Sequence, residues 1–280
     1  MAQSGNVNKN YLHMKRKILV KKVTVTGPNF WGWESSIDFL PSEWPGWFIR
    51  TKDGNVPIDF RIAYSKKGRL QLKKNGVTLN VIEHIIALKL LVGLDNIILV
   101  PHNKWPPYLG GAGGYAKQLE GAWRQTDDNF QTIEPKKEST VRLNNELATE
   151  VSIKKSKVKK LSLTVHSHWK PLPSCQQTIV EMELGFREDI LYAKPQGFPA
   201  HREYLADLSS IFGWPNKKYV SWMSSYKSSM DASYDWWAHA VQDALGALAL
   251  CHYQKIPVLN QVRSCAGHKQ DLEAIRQSFS

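Results

Sequence analysis

A histidine and a carboxylate stand four residues apart in an apolar stretch of the chain's second half. His239 and Asp243 lie within a predicted helix over residues 236–251. Side chains at this spacing share one helix face, so the two groups could converge on one point. In general such a pair is more often a solvated helix face or a hydrogen-bonded pair. Here the apolar neighbours make burial of ionisable groups costly, and metal coordination would offset that cost.

A second candidate pair, Glu83 and His84, opens another apolar helix, predicted over residues 80–92 with Gly93 after it. His84 could complete three ligands of an open metal site. Zinc held by two neutral imidazoles and one carboxylate keeps a positive charge that acidifies water and polarises a carbonyl. Glu83, next to a ligand, could accept the proton. The alternative for Glu83 is a favourable charge at the helix N-terminus.

Length and composition indicate a folded protein. The 280 residues, 42% hydrophobic and 22% charged, suffice for one large domain or two of ordinary size, and they exclude disorder as the main state. No apolar run reaches the length of a membrane span, and residues 1–22 lack the apolar core of a signal peptide. We therefore expect a cytoplasmic protein with no membrane span.

The cysteines and the net charge limit the possible ligands. Cys175, Cys251 and Cys265 form no Cys-x-x-Cys spacing, which argues against a disulfide framework and against a thiolate zinc site. The formal charge of +12 predicts attraction to anions, whether nucleic acid, an acidic membrane surface or a phosphorylated small substrate. The lysine run at 154–160 is interpreted as a strand with one solvated side. Since no RNA-binding motif accompanies it, no nucleic-acid partner is expected.

The order of predicted elements divides the chain into two similar halves. In the first half we predict strands at 18–25, 35–40, 47–51, 58–64 and 94–100, and helices at 80–92 and 115–123. In the second half we predict strands at 150–153, 160–168, 178–184 and 256–263, the helix at 236–251, and a closing helix from His268. The expected division is a tail at 1–14, domain I at 15–126, a polar linker at 127–138 and domain II at 139–280. Each half ends helix, strand, helix, so the two candidate pairs would lie on equivalent helices facing one another.

Separated motifs resemble a known family in order and spacing. Residues 81–85, V-I-E-H-I, are similar to its T-V-E-H-L, and residues 93–96, G-L-D-N, to its G-I-D-N. Residues 239–246, H-A-V-Q-D-A-L-G, match H-K-x-L-D-A-I-G, and Gly267-His268 match the end of K-S-G-H. The family is that of the zinc-dependent UDP-3-O-acyl-N-acetylglucosamine deacetylases of bacterial lipid A synthesis.

The resemblance implies an α+β fold of two stacked domains with the active site between them. Each domain would be a small, mostly antiparallel sheet packed with two helices. The zinc ligands would be His84, His239 and Asp243, with iron(II) as the alternative ion and water in the fourth position. Glu83 would be the general base, and His268 would steady the developing oxyanion and protonate the departing amine.

Several positions depart from the family pattern. Pro195 replaces a threonine expected to polarise the carbonyl, and Ala247 replaces the aspartate expected to orient His268. Ala240 replaces a lysine, and Trp31 stands where the family has a histidine. These positions face substrate more than metal, which indicates a diverged relative with an altered substrate. The candidate substrate contacts are Lys154, Lys194, Gln196, Phe198 and Arg263.

The leading hypothesis is a zinc-dependent amidohydrolase that removes an N-acyl group from an amino sugar, a UDP-amino sugar or a related metabolite. Its partner would be a small-molecule amide, with a nucleotide-sugar or an acylated sugar as the candidates, and we expect a monomer. The alternative is a catalytically weak scaffold that binds an anionic or sugar-like ligand. A third hypothesis, nucleic-acid binding through the lysine run, requires affinity that falls steeply with salt.

Overall fold

A computed structural model describes residues 14–66, 68–143, 149–167, 175–179, 188–193 and 232–280. The fold is α+β, which confirms the class expected from the sequence. The strands of the first half are β1 (Lys15–Leu19), β2 (Val23–Pro28), β3 (Glu34–Pro41), β4 (Trp47–Thr51), β5 (Gly54–Pro57), β6 (Ala63–Lys66), β7 (Arg69–Lys74), β8 (Val77–Asn80), β9 (Leu94–Asp95), β10 (Ile97–Pro101) and β11 (Trp123–Asn129). Those that follow are β12 (Thr132–Ile133), β13 (Ser139–Leu143), β14 (Thr149–Lys155), β15 (Ser162–Ser167), β16 (Cys175–Ile179), β17 (Ile256–Pro257) and β18 (Leu259–Ser264). The helices in these ranges are α1 (Glu83–Leu91), α2 (Ala112–Gln118), α3 (Glu188–Leu191), α4 (Ala232–Leu248) and α5 (His268–Phe279), and a 3-10 turn covers Ala249–Cys251.

Two five-stranded sheets share one topology. The first has the strand order β2-β3-β10-β4-β5 and the second β13-β14-β18-β15-β16. In both, the last strand in sequence lies in the centre, antiparallel to one neighbour and parallel to the other. A helix comes before each central strand and another follows it, α1 and α2 in the first half, α4 and α5 in the second. The sequence therefore folds as a structural repeat.

The helices of the two halves meet at the centre of the protein. Helix α1 is buried along its whole length and packs against α4. The crossing is close because Gly246 on α4 has no side chain: a Cβ there would lie 2.2 Å from the backbone oxygen of Glu83. A larger residue at 246 would force the helices apart. This contact sets the start of α1 against the middle of α4.

Some predicted strands are divided or misplaced. The strand predicted at 94–100 breaks at Asn96, which has a φ of 57°, and becomes β9 and β10. The prediction of a strand at 58–64 is wrong for residues 58–62, which form a turn around Asp59, whose carboxylate accepts the Arg61 N–H at 2.9 Å. The antiparallel strands β7 and β8 were missed, although Asn75-Gly76 between them is a strong hairpin pattern.

The lysine run is not one strand, so its interpretation as such is wrong. Lys154 and Lys155 are exposed at the end of β14, whereas residues 156–161 form the loop before β15. Lys159 in this loop has a φ of 53°, a backbone conformation that ends a strand. The lysines thus form a solvated turn rather than a ladder along a sheet.

The segment 127–138, expected to link the halves, contacts both of them. Residues 127–129 end β11, which pairs with β1 in the first half, whereas residues 132–136 contact the second half. Strand β12 pairs in parallel with β17, and the Lys136 N–H donates to the Ser278 carbonyl at 2.8 Å. A search of the described residues finds no helix long and apolar enough to cross a membrane.

Candidate metal and catalytic site

The two predicted pairs converge where α1 crosses α4. His84 lies in the first turn of α1, and His239 and Asp243 share one face of α4. The two imidazole centroids are 4.9 Å apart, and His239 Nε2 is 3.8 Å from Asp243 Oδ1. One potential ligand atom from each residue lies within 4.8 Å of the others. The histidines are buried and Asp243 is partly exposed, so the cluster is reached from the side of Asp243.

The electrostatic environment favours the protonation states that bind a cation. Burial, with a smaller contribution from the neighbouring His239, lowers the pKa of His84 to about 3. Burial also lowers the pKa of His239, so both rings are neutral at pH 7. At Asp243 burial favours the neutral acid, but the charges of the neighbouring histidines, protonated in acid, and of Arg263 together outweigh burial and hold the pKa of this carboxyl below its usual value. Neutral imidazoles and an ionised carboxylate are the forms that bind metal.

Gln242 orients His84. Its Oε1 accepts the Ala112 backbone N–H at 3.0 Å, and its Nε2 faces backbone carbonyls of residues 190, 191 and 193, so the amide orientation is determined by its partners. His84 Nδ1 lies 3.2 Å from the same Oε1. Because that oxygen can only accept, Nδ1 must carry the proton and Nε2 keeps its lone pair. A residue from α4 therefore sets the tautomer of a residue on α1.

A second group of side chains adjoins the first. Glu83, Asp243 and His268 also bring ligand-type atoms within 4.8 Å of one another. His268 Nε2 lies 3.9 Å from Glu83 Oε1 and 3.8 Å from Asp243 Oδ1. Burial raises the pKa of Glu83 to about 7; His268 opposes this rise and Asp243 adds to it. The carboxylate and the imidazole thus flank the cluster within reach of one small molecule.

Three of the five buried side-chain polar atoms that have no partner among the described residues belong to this site: Glu83 Oε2, His239 Nδ1 and His268 Nδ1. The other two are the amide atoms of Gln261 on β18. Native proteins rarely leave buried polar atoms unpaired, so these atoms indicate a non-protein binding partner at the site. The set of two imidazoles and a carboxylate is a typical donor set for zinc with an open position. The residues present therefore fit a divalent metal and a polar ligand beside it.

The backbone just before Glu83 is strained. Val81 has a φ of 54°, which is sterically unfavourable for a β-branched residue, and it lies two positions before Glu83. The Asn80 N–H donates to Lys104 and the Ile82 N–H to Leu70 on either side of it. These bonds hold the turn that starts α1 with Glu83 and His84 facing α4.

An aromatic cluster lies beside the metal cluster. Trp31, at the position where the family has histidine, packs edge-on against Phe30 and Trp105, with centroids 5.3 and 5.4 Å apart. Tyr108 links this group to His84, with ring centroids 6.0 Å apart. All four aromatic side chains are partly exposed, so this side of the site is apolar and accessible.

Two of the expected substrate contacts, Arg263 and Lys154, lie among the described residues. Arg263 was expected to meet anionic groups of a substrate, but its guanidinium is buried and its Nε donates to Asp271 at 3.1 Å, so it is committed inside the protein. Lys154 is exposed at the end of β14, and no described hydrogen bond or ion pair joins it to the cluster. The remaining expected contacts lie outside the described residues: Lys194, Gln196 and Phe198.

Sequence reasoning missed Gln242 and Asp271. Gln242 is a fully buried polar residue between His239 and Asp243. The pattern that could have revealed it is an amide side chain within an apolar helix. Asp271 follows His268 by three residues on α5 and shares its helix face. The contacts of both residues join segments that are distant in sequence or lie on different elements.

Comparison with known families agrees with this geometry. The model of the UDP-3-O-acyl N-acetylglycosamine deacetylase family matches residues 16–279. The chain belongs to this family. No individual curated protein matches the chain.

The deacetylase family implies a coarse activity. Its members are metal-dependent hydrolases that act on a nucleotide-sugar in lipid A synthesis. The family match covers both sheets and both helices that carry the cluster. The convergence of His84, His239 and Asp243 thus occurs in a chain of deacetylase ancestry.

Replacing Gln242 with leucine, the residue in the family motif, should weaken metal binding by about 10–100-fold, the usual effect of losing a partner that orients a ligand. The variant should also unfold at lower temperature, because buried carbonyls lose their donor at about 1–3 kcal/mol each. Metal titration and thermal denaturation measure the two effects.

Gln261→Leu is the matched control. Gln261 is equally buried but its amide has no described hydrogen-bond partner, so its replacement should leave metal affinity unchanged and stability equal or higher. Equal metal affinity for Gln242→Leu and wild type would rule out the orienting role.

Proposed function

We propose that this protein is a zinc-dependent deacetylase that hydrolyses an N-acyl amide of an amino sugar or UDP-amino sugar. The observation that carries the proposal is the meeting of His84, His239 and Asp243 with Glu83 and His268 beside them. The family match supports the deacetylase class. Zinc is proposed because two imidazoles and one carboxylate are a typical donor set for zinc with an open position.

His84, His239 and Asp243 would hold the zinc ion. The bound ion would supply a positive charge that acidifies water and polarises the amide carbonyl, and iron(II) is the alternative ion. Gln242 keeps the Nε2 lone pair of His84 available for this purpose.

Glu83 would act as the general base. Its carboxylate is buried, and one of its oxygens has no described protein partner, so it is free to take a proton from the attacking water. A pKa raised to about 7 by burial suits proton transfer near neutral pH, and a cation at the adjacent ligands favours the ionised form. Helix N-terminal charge alone would not require the side chain to be buried.

His268 would act on the leaving group, as the general acid. Its Nε2 faces both Glu83 and Asp243, so a protonated ring would lie next to the developing oxyanion and the departing amine. The proton that His268 gives to the amine nitrogen completes cleavage of the C–N bond. Glu83 and His268, 3.9 Å apart, would thus handle the two proton transfers of one hydrolysis.

The substrate class follows from the family and from the aromatic cluster. Amino sugars present apolar ring faces, which stack on aromatic side chains such as Trp31. The net positive charge of the chain is compatible with a diphosphate group on the substrate. We propose a cytoplasmic monomer that takes either the family's UDP-sugar or a smaller N-acyl amino sugar.

Metal analysis and product release test this function. Protein purified without chelator should contain stoichiometric zinc and should release a carboxylic acid from UDP-3-O-acyl-N-acetylglucosamine or from an N-acyl amino sugar without UDP. Protein with no bound zinc or iron and no acid release from either amide would contradict the proposal. Tight binding of the UDP-sugar without turnover would favour the alternative, a catalytically weak scaffold.

A further inference from the structure

Asp271 is a buried carboxylate outside the cluster that the proposed reaction uses. It lies in the first turn of α5, three residues after His268, and its side chain is 0% exposed. Arg263 Nε donates to both of its oxygens, at 3.1 and 3.2 Å. Its Oδ2 lies 3.7 Å from His268 Nδ1. The carboxylate therefore stands between a fixed cation and the imidazole.

The two nitrogens of His268 face different partners. Nε2 lies 3.9 Å from Glu83 and 3.8 Å from Asp243. Nδ1 is buried, makes no hydrogen bond to a described residue, and has the Asp271 carboxylate beside it at 3.7 Å. An imidazole whose Nδ1–H faces a carboxylate is held in one tautomer and one orientation. Arg263 cannot take this role, since a guanidinium only donates.

The residue at position 247 bears on the role of Asp271. The family motif implies an orienting aspartate there, but this chain has a fully buried alanine. We propose that Asp271 is the positioning residue for His268: it accepts the Nδ1–H and keeps Nε2 directed at the reaction centre. Arg263 in turn holds the Asp271 carboxylate. The kinetic consequence rests on the proposed deacetylase function, whereas the orientation of the ring does not.

Asp271→Asn tests the proposal because it preserves shape and removes the acceptor. The amide oxygen can still accept from Arg263. The amide N–H then faces His268 Nδ1, which favours the tautomer with an unprotonated Nδ1 and the proton on Nε2. We expect kcat to fall by about 10–100-fold with KM unchanged, since His268 acts in the transition state. Glu273→Gln, which neutralises an exposed carboxylate on the same helix, is the matched control and should behave as wild type.

Nitrogen NMR of ¹⁵N-histidine-labelled protein gives a readout that does not need turnover. The His268 resonances are assigned as those that disappear in His268→Asn. At one mildly alkaline pH they should show a protonated Nδ1 in wild type and an unprotonated Nδ1 in Asp271→Asn. Unchanged resonances in a folded Asp271→Asn would overturn the proposal, even if the variant were less stable, because Asp271 would then serve Arg263 alone.

The two readouts separate this inference from the proposed function. A wild type that hydrolyses no amide but still changes its Nδ1 resonance in Asp271→Asn would retain the positioning role and lose the deacetylase. An active wild type whose kcat and resonance are matched by Asp271→Asn would retain the deacetylase and lose the positioning role.

Discussion

Glu83→Gln should reduce kcat by about 10²–10⁴-fold, the usual contribution of a general base. The amide of glutamine keeps the shape of the side chain but cannot accept a proton from water at neutral pH. Glu83 is buried with its pKa raised to about 7, so loss of the ionisable group should not destabilise the fold. Steady-state kinetics on the N-acyl sugar, with metal content measured on the same sample, check this expectation.

Metal content decides how the Glu83→Gln result is interpreted. The variant should retain zinc, because none of the three ligands is changed. Glu120→Gln on the surface is the control and should keep full activity. If Glu83→Gln retained wild-type kcat with full zinc, the base would have to be another group, and the helix-charge explanation for Glu83 would be preferred.

His239→Ala should abolish stoichiometric metal binding and lower activity to background. The variant leaves one imidazole and one carboxylate, and such a pair binds zinc far more weakly than three ligands. A metal that binds only the folded state also raises the melting temperature. Chelator should therefore lower Tm in wild type and have no effect in His239→Ala, as measured by thermal denaturation with and without chelator.

His102→Ala is the matched control for His239→Ala. His102 is exposed and lies 3.2 Å from Asp38, away from the cluster, so its loss should change neither zinc content nor the chelator effect. If His239→Ala bound zinc and responded to chelator as wild type does, the metal centre would have to lie elsewhere.

The hairpin of β7 and β8 is an element that the sequence pattern could have predicted. Asn75 and Gly76 have φ values of 47° and 79°, as a tight hairpin turn requires, and the dipeptide was visible in the sequence. The break at Asn96 was harder to predict, because a single residue in the left-handed region depends on its contacts. Asn96 Nδ2 donates to the Ser42 carbonyl at 3.0 Å, a partner more than 50 residues away.

The sequence by itself determined the candidate residues and their local spacing. The i, i+4 relation of His239 and Asp243 follows from helix geometry, and the motif order points to the deacetylase family. Apolar and β-branched runs bounded by Gly and Pro also predicted the alternation of helix and strand in each half. These features depend on neighbours in the chain, so they can be derived without knowing the fold.

Only the tertiary structure decided how those residues meet and what supports them. The approach of Glu83 to α4 depends on Gly246, and the tautomer of His84 depends on Gln242, 158 residues away in sequence. Arg263, predicted as a substrate contact, is buried in an ion pair with Asp271, which the sequence did not indicate. Such contacts join distant segments, and desolvation, which shifts the pKa values here, arises only when those segments pack together.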